Sequence, residues 1–147
     1  MAYTNALSTY KETKVKTAGQ GQLIVMLYDE AVKQLARAIE LMDSNKQKKD
    51  PGKIEQISKS VMKTEEIITE LMVSLDFERG GEISKSLFAL YSWFNRELLE
   101  ANIAQDTGRI KAVKDMLAGL RDTWSQIVIQ QPGDSGNREA AGINIAG

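Results

Sequence analysis

Very few side chains in this sequence could take part in catalysis or metal binding. The 147 residues include no histidine and no cysteine, so the commonest general base, the usual zinc ligands and every thiol nucleophile are missing. Glu65 and Glu66 are adjacent carboxylates, but helical spacing assigns both to a polar, solvated face. Gly19 and Gly21 do not form a phosphate-binding loop, because no strand precedes them and no Gly-Lys-Ser/Thr motif follows. We therefore predict that the protein is not an enzyme and uses no cofactor and no metal ion.

The most informative pattern is an apolar face that is wider than helix packing requires. In segment 83–103 a second set of residues continues round the helix beside the core stripe, so that the combined face covers roughly 220°, whereas a bundle helix needs somewhat more than about 100°. This second set is Phe88, Tyr91, Asn95, Leu99, Asn102 and Ile103. Amides interleaved with apolar groups can pair with a peptide main chain, and such a surface suits an apolar polypeptide segment. A helix well buried by its neighbours, with both amides paired internally, would give the same pattern.

Four amphipathic helices are predicted to position this face. Apolar residues recur at spacings of three and four in four segments, which is typical of one buried stripe in each helix. The stripes are Ile24, Tyr28, Ala31, Leu35, Ala38 and Met42; Ile54, Ile57, Val61, Thr64, Ile68, Leu71 and Leu75; Ile83, Leu87, Leu90, Phe94, Leu98 and Ala101; and Ile110, Val113, Leu117, Leu120, Trp124 and Ile127. We expect Trp124 to lie in the core.

Capping and breaking residues predict where these helices begin and end. Thr17 and Gln20 have the spacing of a capping box before the first helix. Asp50-Pro51 combines an N-cap acceptor with a proline that loses no hydrogen bond at this position. Gly80-Gly81 indicates a helix end or a turn before the third helix, and Asp106-Thr107-Gly108 indicates another break.

Connections of only a few residues force neighbouring helices to run antiparallel. We therefore predict an all-α fold, an antiparallel up-down-up-down four-helix bundle formed by residues 17–130. A short N-terminal segment, residues 1–16, is expected to pack on the bundle, and residues 131–147 are expected to form a flexible tail.

Composition narrows the function further. The chain is 42% hydrophobic and 27% charged with a net charge of -1, so it lacks the basic surface that nucleic acids require. The N-terminus shows no secretory signal, and no run of about 18 apolar residues exists to span a membrane. We therefore expect a cytoplasmic protein with no nucleic-acid partner and no membrane insertion.

Ordered motifs across all four helices resemble those of the FliS family of flagellar secretion chaperones. The resemblance extends from about Tyr10 to Ile129. Its pieces are Tyr10, residues 15–18, residues 22–29, residues 71–76, residues 80–83, Leu90-Tyr91, Leu98, Ala101-Asn102, Leu117, Leu120-Arg121 and Trp124. The chain departs from the family at Gly19-Gln20, where a Ser-Pro or similar pair is usual, and residues after Gln130 have no counterpart.

The resemblance implies a cytoplasmic chaperone that binds the C-terminal helical segment of monomeric flagellin, prevents premature polymerisation and delivers flagellin to the gate of the flagellar type III export apparatus. We expect flagellin to bind the wide face of the third helix, with help from Ile67 and Leu71 of the second helix. The resemblance at Tyr10 implies that the N-terminal segment, with Tyr10 and Val15, acts as a gate over this groove. The free protein is expected to be a monomer or a weak homo-oligomer.

A second interpretation places the chain in a different class. A non-enzymatic helical adaptor, or a structural bundle that associates with its own copy through the third helix, would show the same wide apolar face. The two hypotheses differ in the partner, since an adaptor of this kind associates on its own whereas a chaperone forms a mixed complex with flagellin.

Overall fold

The computed structural model of the protein describes residues 19–130, which fold into four α-helices without a strand. α1 is Gln20–Asn45, α2 is Pro51–Val73, α3 is Phe77–Ala104 and α4 is Thr107–Gln130. α1 packs against α2 and α4, and α3 packs against the same two helices. The predicted antiparallel four-helix bundle is therefore confirmed. The expected N-terminal segment, 1–16, and the expected tail, 131–147, lie outside the described residues.

Local hydrogen bonds explain two of the helix starts. Asp50 caps α2 as predicted, because its side chain accepts a hydrogen bond of 2.9 Å from the main-chain N–H of Gly52. The side chain of Asp76 caps α3 in the same way, with 3.1 Å bonds from the main-chain N–H groups of Glu78 and Arg79. α1 begins after Gly19, whose cap position has no side-chain hydrogen bond. The Thr17 of the predicted capping box lies outside the described residues.

The prediction that Gly80-Gly81 ends a helix is only half right. α3 begins before this pair, at Phe77, because Asp76 already caps its first turn. Gly81 then interrupts the helix with φ 50° and ψ −124°, a backbone conformation that glycine adopts and residues with a Cβ avoid. The Ser84 hydroxyl donates a 2.9 Å hydrogen bond to the Asp76 carbonyl, which ties the turn before the kink to the helix after it.

The core contains most of the predicted stripe residues. All six in α1 are buried, and Trp124 in α4 is 3% exposed, as predicted. The largest fully buried side chains include Tyr28, Tyr91 and Phe94. Burial of this apolar surface stabilises the fold by roughly 25 cal/mol for each Å² removed from water.

The core stripe of α3 differs from the predicted one. Ser84 and Tyr91 are buried, at 1% and 2% exposure, whereas Ile83 is 38% exposed and Leu90 is half-buried. The actual stripe starts at Ser84 and alternates spacings of three and four as far as Ala101. Polar Ser84 can occupy a core position because its hydroxyl donates a hydrogen bond to the Asp76 carbonyl. The prediction considered apolar residues only and therefore placed the neighbouring Ile83 in the core instead.

Candidate functional site

A group of large apolar side chains lies exposed on the outer side of the α2–α3 pair. Val73 on α2 is 74% exposed, and Leu99 and Ile103 on α3 are 53% and 76% exposed. We call this surface the α2–α3 face. Its exposed apolar members are Met62, Val73, Phe77, Phe88, Leu99 and Ile103. Exposed apolar patches are typical of binding surfaces, so this face is the candidate functional site.

The base of the α2–α3 face is polar and joins the two helices. Asn102 Nδ2 donates to Ser58 Oγ at 3.3 Å, and the Ser58 hydroxyl lies 3.4 Å from Asn102 Oδ1. Two turns earlier on α3, Asn95 Nδ2 donates to Thr69 Oγ1 at 3.2 Å and to the main-chain carbonyl of Glu65 at 3.4 Å. Three of these four distances exceed the usual upper limit of about 3.2 Å, so the bonds hold the two helices together only weakly.

The contacts of the two amides show which apolar side chains of the two helices lie at the same level. Because α2 and α3 run antiparallel, these hydrogen bonds place Met62 at the level of Leu99 and Val73 at the level of Phe88. The rings of Phe77 and Phe88 meet edge to face with their centroids 5.8 Å apart. The face thus has two amides between a row of apolar side chains on each helix, and we call the strip between these two rows the groove.

The predicted site residues fall into three groups by burial. Phe88, Leu99 and Ile103 are exposed, while Asn95 and Asn102 are half-buried at the base of the groove. The remaining three, Tyr91, Ile67 and Leu71, are 2%, 0% and 1% exposed and belong to the core beneath it. That these three contact a partner stays a prediction, since in the free chain they support the face from below.

Tyr91 is held in the core by a second tyrosine. Its hydroxyl forms a buried hydrogen bond with the hydroxyl of Tyr28 on α1, and the ring centroids lie 6.5 Å apart. Burial raises the pKa of Tyr28 to about 12, although hydrogen bonds with Tyr91 and Trp124 act in the opposite direction. Burial and the nearby Tyr28 also raise the pKa of Tyr91. Both groups are therefore neutral and structural.

Charged side chains connect the helices at other places. Arg109 on α4 donates to both carboxylate oxygens of Glu97 on α3 at 2.8 Å and to Glu100 at 2.8 Å. The hydrogen bond from Arg109 lowers the pKa of Glu97. On α2, by contrast, partial burial raises the pKa of Glu65.

The opposite side of the bundle carries a different feature. A cavity of about 350 Å³ lies between α1 and α4, and Met26 lines it together with Val25 and Asp29. Arg121 crosses its wall to Asp29 at 3.1 Å, and Lys33 pairs with the same carboxylate at 3.1 Å. Within residues 19–130, no group of three or more carboxylates is placed to hold a metal ion. In the same range, no helix is both long and apolar enough to cross a membrane.

Comparison with known proteins assigns the chain to a family. The family described as flagellar protein FliS matches residues 3–131. The chain is 31% identical over 128 residues to a flagellar secretion chaperone FliS of Bacillus subtilis, an alignment that covers 87% of this chain and 90% of the relative. It is 35% identical over 118 residues to the Escherichia coli flagellar secretion chaperone FliS, with 80% and 82% of the two chains covered. The chain belongs to the FliS family.

The part of the α2–α3 face that the sequence did not predict lies mainly on α2. Met62 and Val73 stand outside the predicted stripe of that helix, and Phe77 precedes the kink at Gly81. Met62 and Val73 are spaced by eleven residues, which is three helical turns, so they share one side of α2. That spacing could have identified this edge of the groove. No sequence pattern predicts the contact between Phe77 and Phe88, because the helix is interrupted at Gly81, which lies between them.

The N-terminal gate expected from the FliS resemblance cannot be placed in this fold. Tyr10 and Val15 both lie outside the described residues. The chain enters α1 at Gly19, at the end of the bundle that also holds Val73 and Phe77, because α1 and α3 run in the same direction and α2 runs back between them. The gate stays a prediction.

Proposed function

We propose that this FliS-family chain is a cytoplasmic flagellar export chaperone that binds the C-terminal helical segment of monomeric flagellin on the α2–α3 face. The observation that carries this proposal is the exposure of Met62, Val73, Phe88, Leu99 and Ile103 around a polar base. Exposed apolar surface of this kind favours binding of a complementary apolar surface. The relatives are named flagellar secretion chaperones, which supports a role of this chain in flagellar export.

The dimensions of the face favour a helical ligand. Residues 88–103 of α3 extend for about 22 Å at 1.5 Å per residue, which corresponds to roughly four turns of a bound helix lying alongside. Amphipathic helices bind such grooves through apolar residues spaced three and four apart. A flagellin segment bound in this way would have its own apolar surface covered, which prevents it from packing against other flagellin subunits.

Delivery completes the proposed role. A chaperone of this type needs no energy source of its own, because binding covers the apolar segment and release follows when the export gate competes for the complex. The partners proposed are therefore flagellin and a gate component of the type III apparatus.

The test compares residues of the face with a matched residue elsewhere. Leu99→Ala and Phe88→Ala should each weaken binding of a peptide with the sequence of the flagellin C-terminal segment by about 1–2 kcal/mol, measured by calorimetry, because apolar anchors dominate interface energies. Met116→Ala is the control, since Met116 on α4 is exposed to a similar degree, 43%, and stands on a different helix. It should bind with the affinity of the unsubstituted chain.

Two results would contradict the proposal. Equal affinities for all three variants would move the binding site away from the α2–α3 face. A stable dimer of the chain, lost in Leu99→Ala and accompanied by no peptide binding, would support the self-associating bundle instead.

A further inference from the structure

The cavity between α1 and α4 has an apolar end and a charged end. Val25 and Met26, both half-buried, line the apolar end. The cavity begins just beyond a close approach of the two helices, because a Cβ added at Gly21 would lie 2.8 Å from Val128 Cγ2. Gly21 is close to the start of α1 and Val128 is close to the end of α4. The apolar end therefore lies at the end of the bundle where the chain leaves α4.

Ile129 extends this apolar end. Its side chain is 67% exposed, and it follows Asp122, which lines the cavity, by seven residues. Seven residues are almost two helical turns, so Ile129 stands on the same side of α4 as Asp122. We call the cavity and Ile129 together the α1–α4 cleft. Exposed apolar surface of this kind is typical of a binding site.

The charged end of the α1–α4 cleft carries more acidic than basic side chains. Three carboxylates and two cations line it, from Asp29, Glu30, Asp122, Lys33 and Arg121. The Asp29 carboxylate pairs with both cations, at 3.1 Å each, and Arg121 also reaches Asp122 at 3.2 Å. Glu30 accepts a hydrogen bond of 2.8 Å from the neutral amide of Gln34. A cation of a ligand is therefore attracted to this end of the cleft.

We propose that the α1–α4 cleft is a binding site for residues 131–147 of the same chain, which fold back from the end of α4. Ile143 and Ile145 lie on the apolar end, and Arg138 lies beside Glu30. The segment thereby covers apolar surface that would otherwise face water, and it is not the free tail that its composition suggests. The cleft is on the side of the bundle away from the α2–α3 face, so the proposal does not depend on flagellin binding.

The segment begins next to the cleft and is long enough to fill it. It follows Gln130, directly after Ile129. Pro132 cannot continue the helix, and Pro132-Gly133 is typical of a turn that reverses the chain. From Gln130 back to Arg121 the cleft extends for about 14 Å along α4, whereas residues 131–145 reach about 50 Å when extended. The segment can therefore run to the charged end and return to the apolar end.

The composition of the segment complements the two ends of the cleft. Ile143 and Ile145 are its only large aliphatic side chains, and Arg138 is its only cation. Alternate residues of an extended chain point to the same side, so both isoleucines can contact Val25 and Met26 together. A tethered segment also has an effective concentration of about 1 mM, which favours it over a second copy of the chain or another protein.

The experiment uses the full-length chain with isotope-labelled methionine methyl groups and one nitroxide spin label. The chain has no cysteine, so Asn144→Cys supplies a single attachment site, on the side of the extended segment away from the two isoleucines. Met26 reports on the α1–α4 cleft, while the exposed Met62 and Met116 report on other surfaces of α2 and α4. In the nuclear magnetic resonance spectrum the label should remove most of the Met26 methyl signal and leave most of the other two.

Substitutions within the segment test its apolar contacts. Ile143→Ser/Ile145→Ser in the spin-labelled chain should restore the Met26 signal, because it removes both apolar anchors. Ala140→Ser/Ala141→Ser is the matched control, since it also adds two hydroxyl groups to the segment but removes no large apolar side chain. With this control the Met26 signal should stay as weak as before.

A charge reversal tests the place of Arg138. Arg138→Glu should restore part of the Met26 signal, since it puts a carboxylate beside Glu30. Adding Glu30→Arg should reverse this gain, because the two charges are then opposite again. No response to either substitution would overturn the placement of Arg138.

Four results would overturn the binding of the segment to the α1–α4 cleft. Equal weakening of the three methionine signals would show that the segment has no fixed site, and stronger weakening of Met62 would place it on the α2–α3 face. A Met26 signal that stays weak in Ile143→Ser/Ile145→Ser would contradict the apolar contacts. In the fourth case, a spin-labelled chain weakens the Met26 signal of a separate chain that carries no spin label, which would show that a second copy covers the cleft. None of these results changes the outcome expected for flagellin binding, which Leu99→Ala and Phe88→Ala test.

Discussion

Tyr28 on α1 and Tyr91 on α3 join diagonally opposite helices of the bundle through a hydrogen bond between their hydroxyl groups. α1 and α3 are not neighbours in the ring of helices, since each packs mainly against α2 and α4. The pair therefore crosses the centre of the core, where both side chains are almost completely buried. A polar contact at this depth favours one alignment of the two helices, because a shift along the axis would separate the two buried hydroxyl groups.

The first prediction concerns this pair. Tyr91→Phe should lower the free energy of unfolding by about 1–3 kcal/mol, because it leaves the Tyr28 hydroxyl with fewer partners in a buried place. The double variant Tyr28→Phe/Tyr91→Phe should lose less than the sum of the two single variants, since it removes both hydroxyl groups together. Urea denaturation of the four chains measures the coupling, and strictly additive losses would show that the hydroxyl groups do not interact.

The second prediction is a loss of stability at alkaline pH. The pKa of Tyr28 is about 12 in the folded chain and ordinarily 10, so the folded state holds a proton that the unfolded state releases first. The resulting stability is complete below pH 10 and is lost as the pH rises towards 12. The free energy of unfolding of the unsubstituted chain should fall across this window more steeply than that of the double phenylalanine variant. Parallel curves for the two chains would contradict the prediction.

Tyr91 illustrates which features of the fold the sequence predicts and which it does not. The repeat of apolar residues correctly predicts four helices, because it depends only on the period of a helix and on burial of one side. The same repeat puts Tyr91 beside the core stripe of α3 and Ile83 within it, whereas the fold buries Tyr91 and exposes Ile83. Tyr28, which makes the burial of Tyr91 possible, is 63 residues away in the chain. No local pattern reports such a contact.

Only part of the α2–α3 face was predicted from the sequence, for a related reason. Phe88, Leu99 and Ile103 are found exposed, as expected for residues outside the core stripe of α3. The contribution of α2 depends on how the two helices are aligned, which the contacts of Asn95 and Asn102 with that helix show. Sequence spacing identifies one side of one helix, but it does not tell which residues of a second helix complete the groove.

The third prediction tests the ion pair between Glu97 on α3 and Arg109 on α4. Because the hydrogen bond from Arg109 lowers the pKa of Glu97, the folded state favours the ionised carboxylate. This contribution is present above the ordinary value of 4.5 and is lost as the pH falls below it. Glu97→Gln should therefore lower the melting midpoint at neutral pH and make it less sensitive to acid than that of the unsubstituted chain.

The control for Glu97 is another carboxylate with a weaker contact. Glu55 on α2 lies 3.9 Å from Lys59, and both side chains are 72% exposed, so Glu55→Gln should hardly change the acid dependence. Equal acid profiles for Glu97→Gln and the unsubstituted chain would show that the Arg109 contact contributes nothing measurable.

The fourth prediction compares two glycines with open space around the Cβ position. Gly81 has φ 50°, and an added Cβ there would meet no atom within 4 Å, so only backbone strain opposes a side chain. Gly81→Ala should cost about 1–2 kcal/mol of unfolding free energy. Gly119 lies within α4 with equally open space, and Gly119→Ala should stabilise by about 0.5–1 kcal/mol. Thermal denaturation measures both, and effects of the same sign would contradict this account of the kink.

The last prediction concerns the proposed N-terminal gate, residues 1–16. An apolar groove open to water tends to aggregate, and Gly19 leads into α1 at the end of the bundle where Val73 and Phe77 begin the α2–α3 face. An extended segment of 16 residues reaches at most about 50 Å, which is enough to cover a face of about 22 Å. We therefore expect Tyr10 to compete with flagellin for the groove.

Deleting residues 1–16 should tighten binding of the flagellin peptide in proportion to the time for which the groove is closed, about tenfold if it is closed for nine tenths of the time. The melting midpoint should change little, and the shortened chain should self-associate more readily. Tyr10→Ala serves as the single-residue counterpart and should act in the same direction. Two results would end the gate hypothesis: a large fall in the melting midpoint, which would make the segment part of the folded core, or weaker binding at unchanged stability, which would make Tyr10 a direct contact with flagellin.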